Sequence, residues 1–182
     1  MQATRVHGIP VITVTGWSNS GKTTFFTRVV EILTRAGVNV GVVKHHGHKA
    51  ETVDQKGKDS WKYAQAGANP VVLSSAVQYA IFRSTPDGEV TRDELIARIA
   101  DEVDLVIVEG FRAAAEGAVE LSRKATGKGP KLAPEERICL ITDDEELAAE
   151  ARAEGKPVFG LEDFTEVARY FCEIAGIDAP AL

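Results

Sequence analysis

The stretch Gly16-Trp17-Ser18-Asn19-Ser20-Gly21-Lys22-Thr23, followed by Thr24, constrains this chain more than any other. It satisfies G-x-x-x-x-G-K-[ST] at each fixed position, a pattern in which a glycine-rich loop turns backbone N–H groups toward a phosphate chain. Before it, Ile9-Pro10-Val11-Ile12-Thr13-Val14-Thr15 is a β-branched run that reads as a buried strand. After it, Phe25, Phe26, Val29, Val30, Ile32 and Leu33 give a broad apolar helical face that stops at Ala36-Gly37. Strand, loop and helix N-terminus thus stand in the order that aims a helix dipole at an anion. The expectation is a nucleoside di- or triphosphate site built from Gly16, Ser18, Asn19, Ser20, Gly21, Lys22, Thr23 and Thr24. Lys22 is expected to reach the β- and γ-phosphates, and the Thr23 hydroxyl to coordinate Mg²⁺.

The rest of the chain alternates short apolar runs with amphipathic ones. Strands are expected over Val38–Val43, Pro70–Ser74, Gln78–Arg83, Leu105–Gly110, Ala118–Ser122, Arg137–Thr142 and Pro157–Phe159. A short helix is expected from Lys58-Asp59-Ser60 to about Gly67, and a longer one opened by the capping box Thr91…Glu94. An Asp/Glu/Ala-rich helix runs to about Glu154, and a closing helix carries Phe164, Val167, Ala168, Phe171 and Ala175 on one face. Continuous apolar strands alternating with helices predict a three-layer α/β phosphate-loop NTPase fold: a mostly parallel sheet with helices on both faces. Between Pro70–Ser74 and Gln78–Arg83 no crossover helix fits, so a hairpin or chain reversal at the sheet edge is expected there. At 182 residues, one nucleotide-binding domain spanning residues 1–182 is expected. Ligands of such sheets bind beyond the C-terminal strand ends, where Gly16, Lys44, Glu109 and Asp143 emerge.

Composition narrows the partners. A net charge of −6 leaves no basic surplus for a nucleic-acid backbone, so general nucleic-acid binding is not expected. No apolar stretch approaches the roughly 18 residues of a bilayer span, and Met1–Gly8 is polar without an apolar signal core. Cys139 and Cys172 each sit in an apolar run and read as buried free thiols of a reducing compartment. A cytoplasmic protein is expected.

Beyond the glycine loop, Glu109 closes an apolar strand in the manner of the second NTPase carboxylate, which holds Mg²⁺ or orients a water near the γ-phosphate. Asp54 lies in a loop after the second strand, where Mg²⁺- and γ-phosphate-sensing segments occur, though loop aspartates also form turns. Asp59 fits a helix cap, and Lys58 a phosphate contact or a surface lysine. The run His45-His46-Gly47-His48 lacks the cysteine pair or second histidine group that a structural zinc needs, and reads as lining a cleft or an interface. Base choice is not encoded by an N-K-x-D tetrapeptide. Asp143 is a candidate guanine acceptor after a buried strand, while Thr142 through Glu145 also forms a capping box. Arg112 and Arg123 have the guanidinium fork that suits an anionic second ligand, and both also suit an exposed surface.

Several segments together resemble one family. They are the phosphate loop; Gly41-Val42-Val43-Lys44-His45-His46-Gly47-His48; Asp54-Gln55-Lys56-Gly57-Lys58-Asp59-Ser60; Ala66-Gly67-Ala68; and Val108-Glu109-Gly110-Phe111-Arg112. In this order and spacing the chain resembles the molybdopterin-guanine dinucleotide biosynthesis adaptor family, MobB, over nearly its whole length. The resemblance implies GTP binding with Mg²⁺, weak hydrolysis and a homodimer that assists the guanylyltransferase attaching GMP to molybdopterin. It also implies that Lys22, Thr23, Asp54 and Glu109 form the nucleotide–Mg²⁺ site, with Lys22, Glu109 and Asp54 serving hydrolysis and Thr23, Asp54 and Glu109 holding the metal. Arg123 matches the family's arginine after its strand, a candidate phosphate or pterin contact. Two departures stand out: Lys56, where the family tends to have proline, and the alanine-rich stretch Ala113–Ala118. The rival expectation is a small-molecule kinase that transfers the ATP γ-phosphate to a pterin- or nucleoside-like acceptor held by His46, Arg112 or Arg123. Such an enzyme usually needs an arginine-bearing lid, and the Lys124–Lys131 loop has lysines but no arginine.

Overall fold

A computed structural model describes residues 2–46, 53–111, 117–179 and 181–182. The chain divides into two compact units, residues 1–45 with 92–182, and residues 46–91. His48 and Arg112, singled out above, lie outside the described residues.

The first unit is built on a seven-stranded sheet. Its members are β1 (Thr4–Val6), β2 (Ile9–Thr15), β3 (Val40–Lys44), β6 (Leu105–Glu109), β7 (Ala118–Ser122), β8 (Arg137–Thr142) and β9 (Val158–Phe159). The order is β3-β6-β2-β7-β8-β9, with all neighbours parallel. Strand β1 is the exception, pairing antiparallel with Ile9–Val11 of β2 while β7 takes Val14 and Thr15 of the same strand. The sequence reading gave residues 1–8 no strand. The turn that makes one is His7-Gly8, both at positive φ (50° and 84°), as a two-residue hairpin loop demands.

Alternation along the strands divides the core between two faces. Ile12, Val14, Leu105, Ile107, Val119 and Leu121 point to the face covered by α1 (Lys22–Arg35) and α5 (Phe164–Ala175). There Phe25, Phe26, Leu33, Val167 and Phe171 complete the cluster, all at 6% exposure or less. Phe171 matches the periodicity expected of the closing helix, and Gly176 stops that helix in the left-handed conformation, with Ile177 N–H donating back to Cys172 O. Val11, Val106 and Val108 point the other way, onto α3 (Arg92–Ala97), where Ile96 is fully buried. Leu140 meets α4 (Glu145–Ala153) through Leu147 and Ala151. The result is a mostly parallel sheet with helices on both faces, as the apolar strand runs predicted. Among the described residues, no helix is long and apolar enough to cross a membrane.

The second unit holds α2 (Asp59–Gln65) and the antiparallel pair β4 (Val71–Ser74) and β5 (Tyr79–Phe82). The expected chain reversal is there, but it forms a two-stranded sheet of its own rather than an edge of the main sheet. Its ladder runs only between its own strands, from Val71↔Phe82 to Ser74↔Tyr79, and α2 packs against β4.

Candidate functional site

Parallel strands point their carboxyl ends the same way, so β2, β6, β7 and β8 deliver Gly16, Glu109, Arg123 and Asp143 to one rim of the sheet. The glycine loop leaves β2 at Gly16, whose φ is +151°. A Cβ there would sit 2.3 Å from the Leu121 carbonyl oxygen, so only glycine lets the loop pass this close to β7. Asn19 and Gly21 then take positive φ (64° and 86°), curling the backbone before α1 begins at Lys22. Gly21 is the N-cap residue, no side chain caps the helix, and its first turn holds no acidic residue. The first N–H groups of α1 are thus left to an anion, in the geometry a phosphate-binding helix terminus needs. Thr23 and Thr24 stand exposed at that terminus.

Glu109 stands opposite Val14 in the β2–β6 register, one strand over from the start of the loop. Its carboxylate pairs with Lys44 Nζ at 3.4 Å, and its own carbonyl accepts from His45 N–H at 2.8 Å. Gly110 then turns at φ +91°, and a Cβ there would meet the His45 carbonyl oxygen at 2.7 Å, so conformation and space both require glycine. Lys22 Nζ donates to Trp17 O at 2.8 Å. Burial lowers the Lys22 pKa below the ordinary lysine value, the Glu109 carboxylate raises it, and Lys131 and Lys44 lower it further. The glycine loop, Lys22 and Glu109 therefore meet in one electrostatic environment.

The far side of the loop is closed by the β7–β8 connection. Trp17 Nε1 donates to Gly129 O at 2.8 Å, and Lys128 Nζ lies 4.8 Å from the indole centroid, within cation–π range. A cleft of about 300 Å³ opens there among Ser18, Asn19, Arg123, Thr126 and Lys128. A second hollow, about 190 Å³, lies on the other side of Arg123, between Thr24 and the β9–α5 turn at Leu161-Glu162.

Residues 11–144 match the family model described as molybdopterin guanine dinucleotide synthesis protein B, MobB. This chain belongs to the MobB family. It is 31% identical over 160 residues to the molybdopterin-guanine dinucleotide biosynthesis adapter protein of Escherichia coli (strain K12), covering 86% of this chain and 91% of that one. A protein of the same description from Haemophilus influenzae (strain ATCC 51907 / DSM 11121 / KW20 / Rd) is 39% identical over 105 residues, 57% of this chain and 58% of its own. The crystal structure of Bacillus subtilis MobB superposes with a TM-score of 0.68 at 27% identity, covering 92% of this chain and 98% of that one.

Within this MobB-family chain, the remaining predicted residues fall as follows. Asp54 belongs to the second unit, where its Oδ1 accepts from Gln55 N–H at 2.7 Å and from the Ser60 hydroxyl at 3.1 Å, holding the start of α2. Asp59 is the first residue of α2 rather than its cap, and pairs with Lys62 at 3.1 Å. Asp143 lies at the end of β8, where its Oδ1 accepts from Lys124 N–H at 2.7 Å and its Oδ2 lies 3.7 Å from Arg123 Nε. The cap of α4 is Asp144, not Thr142: Asp144 accepts from Glu146 N–H at 3.1 Å, and the Thr142 hydroxyl instead accepts from Asp144 N–H. The helix starts two residues later than the capping-box reading requires, so Asp144 occupies the cap position. The expected buried thiols are found: Cys139 and Cys172 are both buried and free, with burial raising both pKa values. The His45 ring lies 5.0 Å from Phe111, and among the described residues no cluster of three metal-ligating side chains occurs.

Sequence reasoning passed over one pair that shapes the site. Glu120 and Arg137 are 0% and 2% exposed and bonded at 3.0 Å. Glu120 Oε1 also accepts from Lys131 N–H, and Arg137 donates to Leu132 O at 3.1 Å. A buried pair thus pins the far end of the connection whose near end holds Trp17. The signal was a lone glutamate inside Ala118–Ser122, a run otherwise buried throughout.

Proposed function

We propose that this protein is a GTP-binding accessory protein of molybdenum cofactor biosynthesis that assists the guanylyltransferase joining GMP to molybdopterin. The carrying observation is the glycine loop with Lys22 and Glu109 at its mouth, in a chain whose family and relatives are described as molybdopterin-guanine dinucleotide proteins. The loop suits a polyphosphate: Gly16 leaves room where a Cβ would clash, the helix terminus has no side-chain cap, and among the described residues Lys22 hydrogen-bonds only a carbonyl of its own loop. The exposed Thr23 hydroxyl and the Glu109 carboxylate are the groups of the first unit that would hold Mg²⁺. When bound, that ion would neutralise negative charge that develops on the phosphate chain. Lys22 would stabilise charge on the transferring phosphate, and Glu109 would orient the attacking water, at a slow rate.

The protein would act in the cytoplasm as a homodimer. One face of the hairpin supports self-association: Val72, Tyr79 and Ile81 share it and are 59%, 69% and 55% exposed. Calorimetric titration with GTP and with ATP, each with Mg²⁺, tests the reading, followed by capture of the guanylyltransferase with and without nucleotide. Preference for GTP and nucleotide-dependent capture are expected. Preference for ATP with phosphoryl transfer to a pterin or nucleoside would replace the adaptor with the kinase.

A further inference from the structure

The hollow between Thr24 and the β9–α5 turn has a composition unlike the rest of the rim. Leu121, Leu161 and Phe164 supply apolar wall, Arg123 one side, and Glu162 the only carboxylate. At about 190 Å³ it is smaller than pockets that take a whole drug-sized ligand, and suits one ring system of a larger molecule. It adjoins the phosphate loop through Ser20, Gly21 and Thr24. Ser20 is itself 1% exposed, and its hydroxyl has no hydrogen-bond partner.

The carboxylates around this rim are already sorted by their bonds. Asp143 holds Lys124 N–H and faces Arg123, Asp144 caps α4, and Asp163 accepts from Gly160 N–H at 2.7 Å. That last bond, with Phe164 N–H donating to Glu162 O at 2.9 Å, fixes the turn that carries Glu162. The Glu162 carboxylate is exposed and makes no hydrogen bond or ion pair among the described residues. A side chain with two open acceptor oxygens, on a braced turn at the mouth of an apolar slot beside the phosphate loop, matches a purine that presents adjacent N–H donors.

We infer that this hollow is the base subsite and that Glu162, not Asp143, is its specificity-determining acceptor, taking the N1–H and 2-amino protons of guanine. This rests on the GTP-binding reading above. Leu161 and Phe164 cover the ring, and the Asp143 carboxylate positions Arg123 and the turn after it. Adenine offers no N1–H and places no donor at C2, so it leaves Glu162 unpaired against its ring edge.

The test is calorimetric titration of the intact protein and of Glu162→Gln and Asp143→Asn with GTP, ITP and XTP in Mg²⁺ buffer. ITP lacks the 2-amino group, and XTP carries an oxygen in its place. The wild type is expected to bind GTP at least about 10-fold more tightly than ITP. Glu162→Gln, an exposed substitution that leaves the core intact, is expected to erase that ratio and to bind XTP more tightly than GTP. Asp143→Asn should keep the wild-type order. If Glu162→Gln preserves the GTP-to-ITP ratio, or if Asp143→Asn is the variant that erases it, the assignment of Glu162 is wrong while the GTP reading stands. A wild type that binds no GTP overturns both.

Discussion

The Lys22 ammonium bonds the carbonyl oxygen of Trp17, five residues earlier in the loop that both belong to. The lysine is thereby held across the space that the loop encloses. A phosphate competes for the same ammonium with a full charge against a carbonyl dipole, and charge-assisted bonds are about twice as strong. Lys22→Ala is therefore expected to weaken GTP binding at least about 100-fold, a loss near 2.7 kcal/mol. Thermal unfolding should barely move, because the lost bond is local. Undiminished affinity by calorimetry would sink the central assignment.

Gly16 tests the loop from the backbone side. Its φ of +151° and the 2.3 Å approach to Leu121 O leave no place for a methyl group. Gly16→Ala must move either the loop or β7, and a cost of about 1–3 kcal/mol in stability is expected from strain of this kind. Nucleotide affinity should fall with it, read by denaturant unfolding and calorimetry on the same sample.

Glu109 meets the site as an acceptor for Lys44 and as a neighbour of Lys22. Glu109→Gln keeps the shape and removes the charge. Mg²⁺-dependent GTP hydrolysis is expected to drop about 10-fold or more, consistent with the loss of a water-orienting or metal-holding group. Binding measured without Mg²⁺ should change far less. Equal losses in both assays would place Glu109 in general anion balance instead.

The buried Glu120–Arg137 pair should dominate stability. Glu120→Ala leaves a guanidinium that is 2% exposed with only the more distant Glu154 carboxylate, at 3.7 Å, as an ionic partner, and a loss of about 3 kcal/mol is expected. Replacing both partners, Glu120→Leu with Arg137→Met, is expected to recover most of it. Urea unfolding of the single and double variants decides; a double variant as weak as the single would assign the stability to the bonds with Lys131 and Leu132.

Alkaline stability carries a signature of Tyr170. Burial pushes its phenol up to about 12 from an unfolded value of 10.0, with Cys139 and Glu173 adding to the rise. Above pH 10 the unfolded chain ionises while the fold stays protonated, so the unfolded state binds fewer protons and stability falls until about pH 12. Tyr170→Phe should flatten that part of the stability–pH curve. An unchanged slope would assign the fall to other groups such as the Cys139 thiol.

Much of the fold was legible because its signals are local. Ile9–Thr15 announces β2 residue for residue, since a strand buried on both faces has no charged position to blur its limits. Glu109 is legible for the same reason: it is the first charge after four buried residues. What failed to show depends on which partner a segment meets, near or far in sequence, and not on its own composition. Thr4–Val6 is a strand only because Val11 and its neighbours offer an edge, and the separate hairpin is set by which edges remain open. Glu120 looks like a surface glutamate until Arg137 is placed against it. Glu162 carries no motif at all; it stands out only once its neighbouring carboxylates are seen to be engaged.

The tether between Trp17 and the β7–β8 connection gives the loop its own optical reporter. The chain has two tryptophans, and the other, Trp61, lies on α2 in the second unit. With Trp61 replaced by phenylalanine, all indole emission comes from a ring bonded to Gly129 and faced by the Lys128 ammonium. A ligand that draws Lys22 off the Trp17 carbonyl or Lys128 off the indole changes the polarity around that one ring. Nucleotide arrival and departure can then be timed by stopped-flow emission without any label.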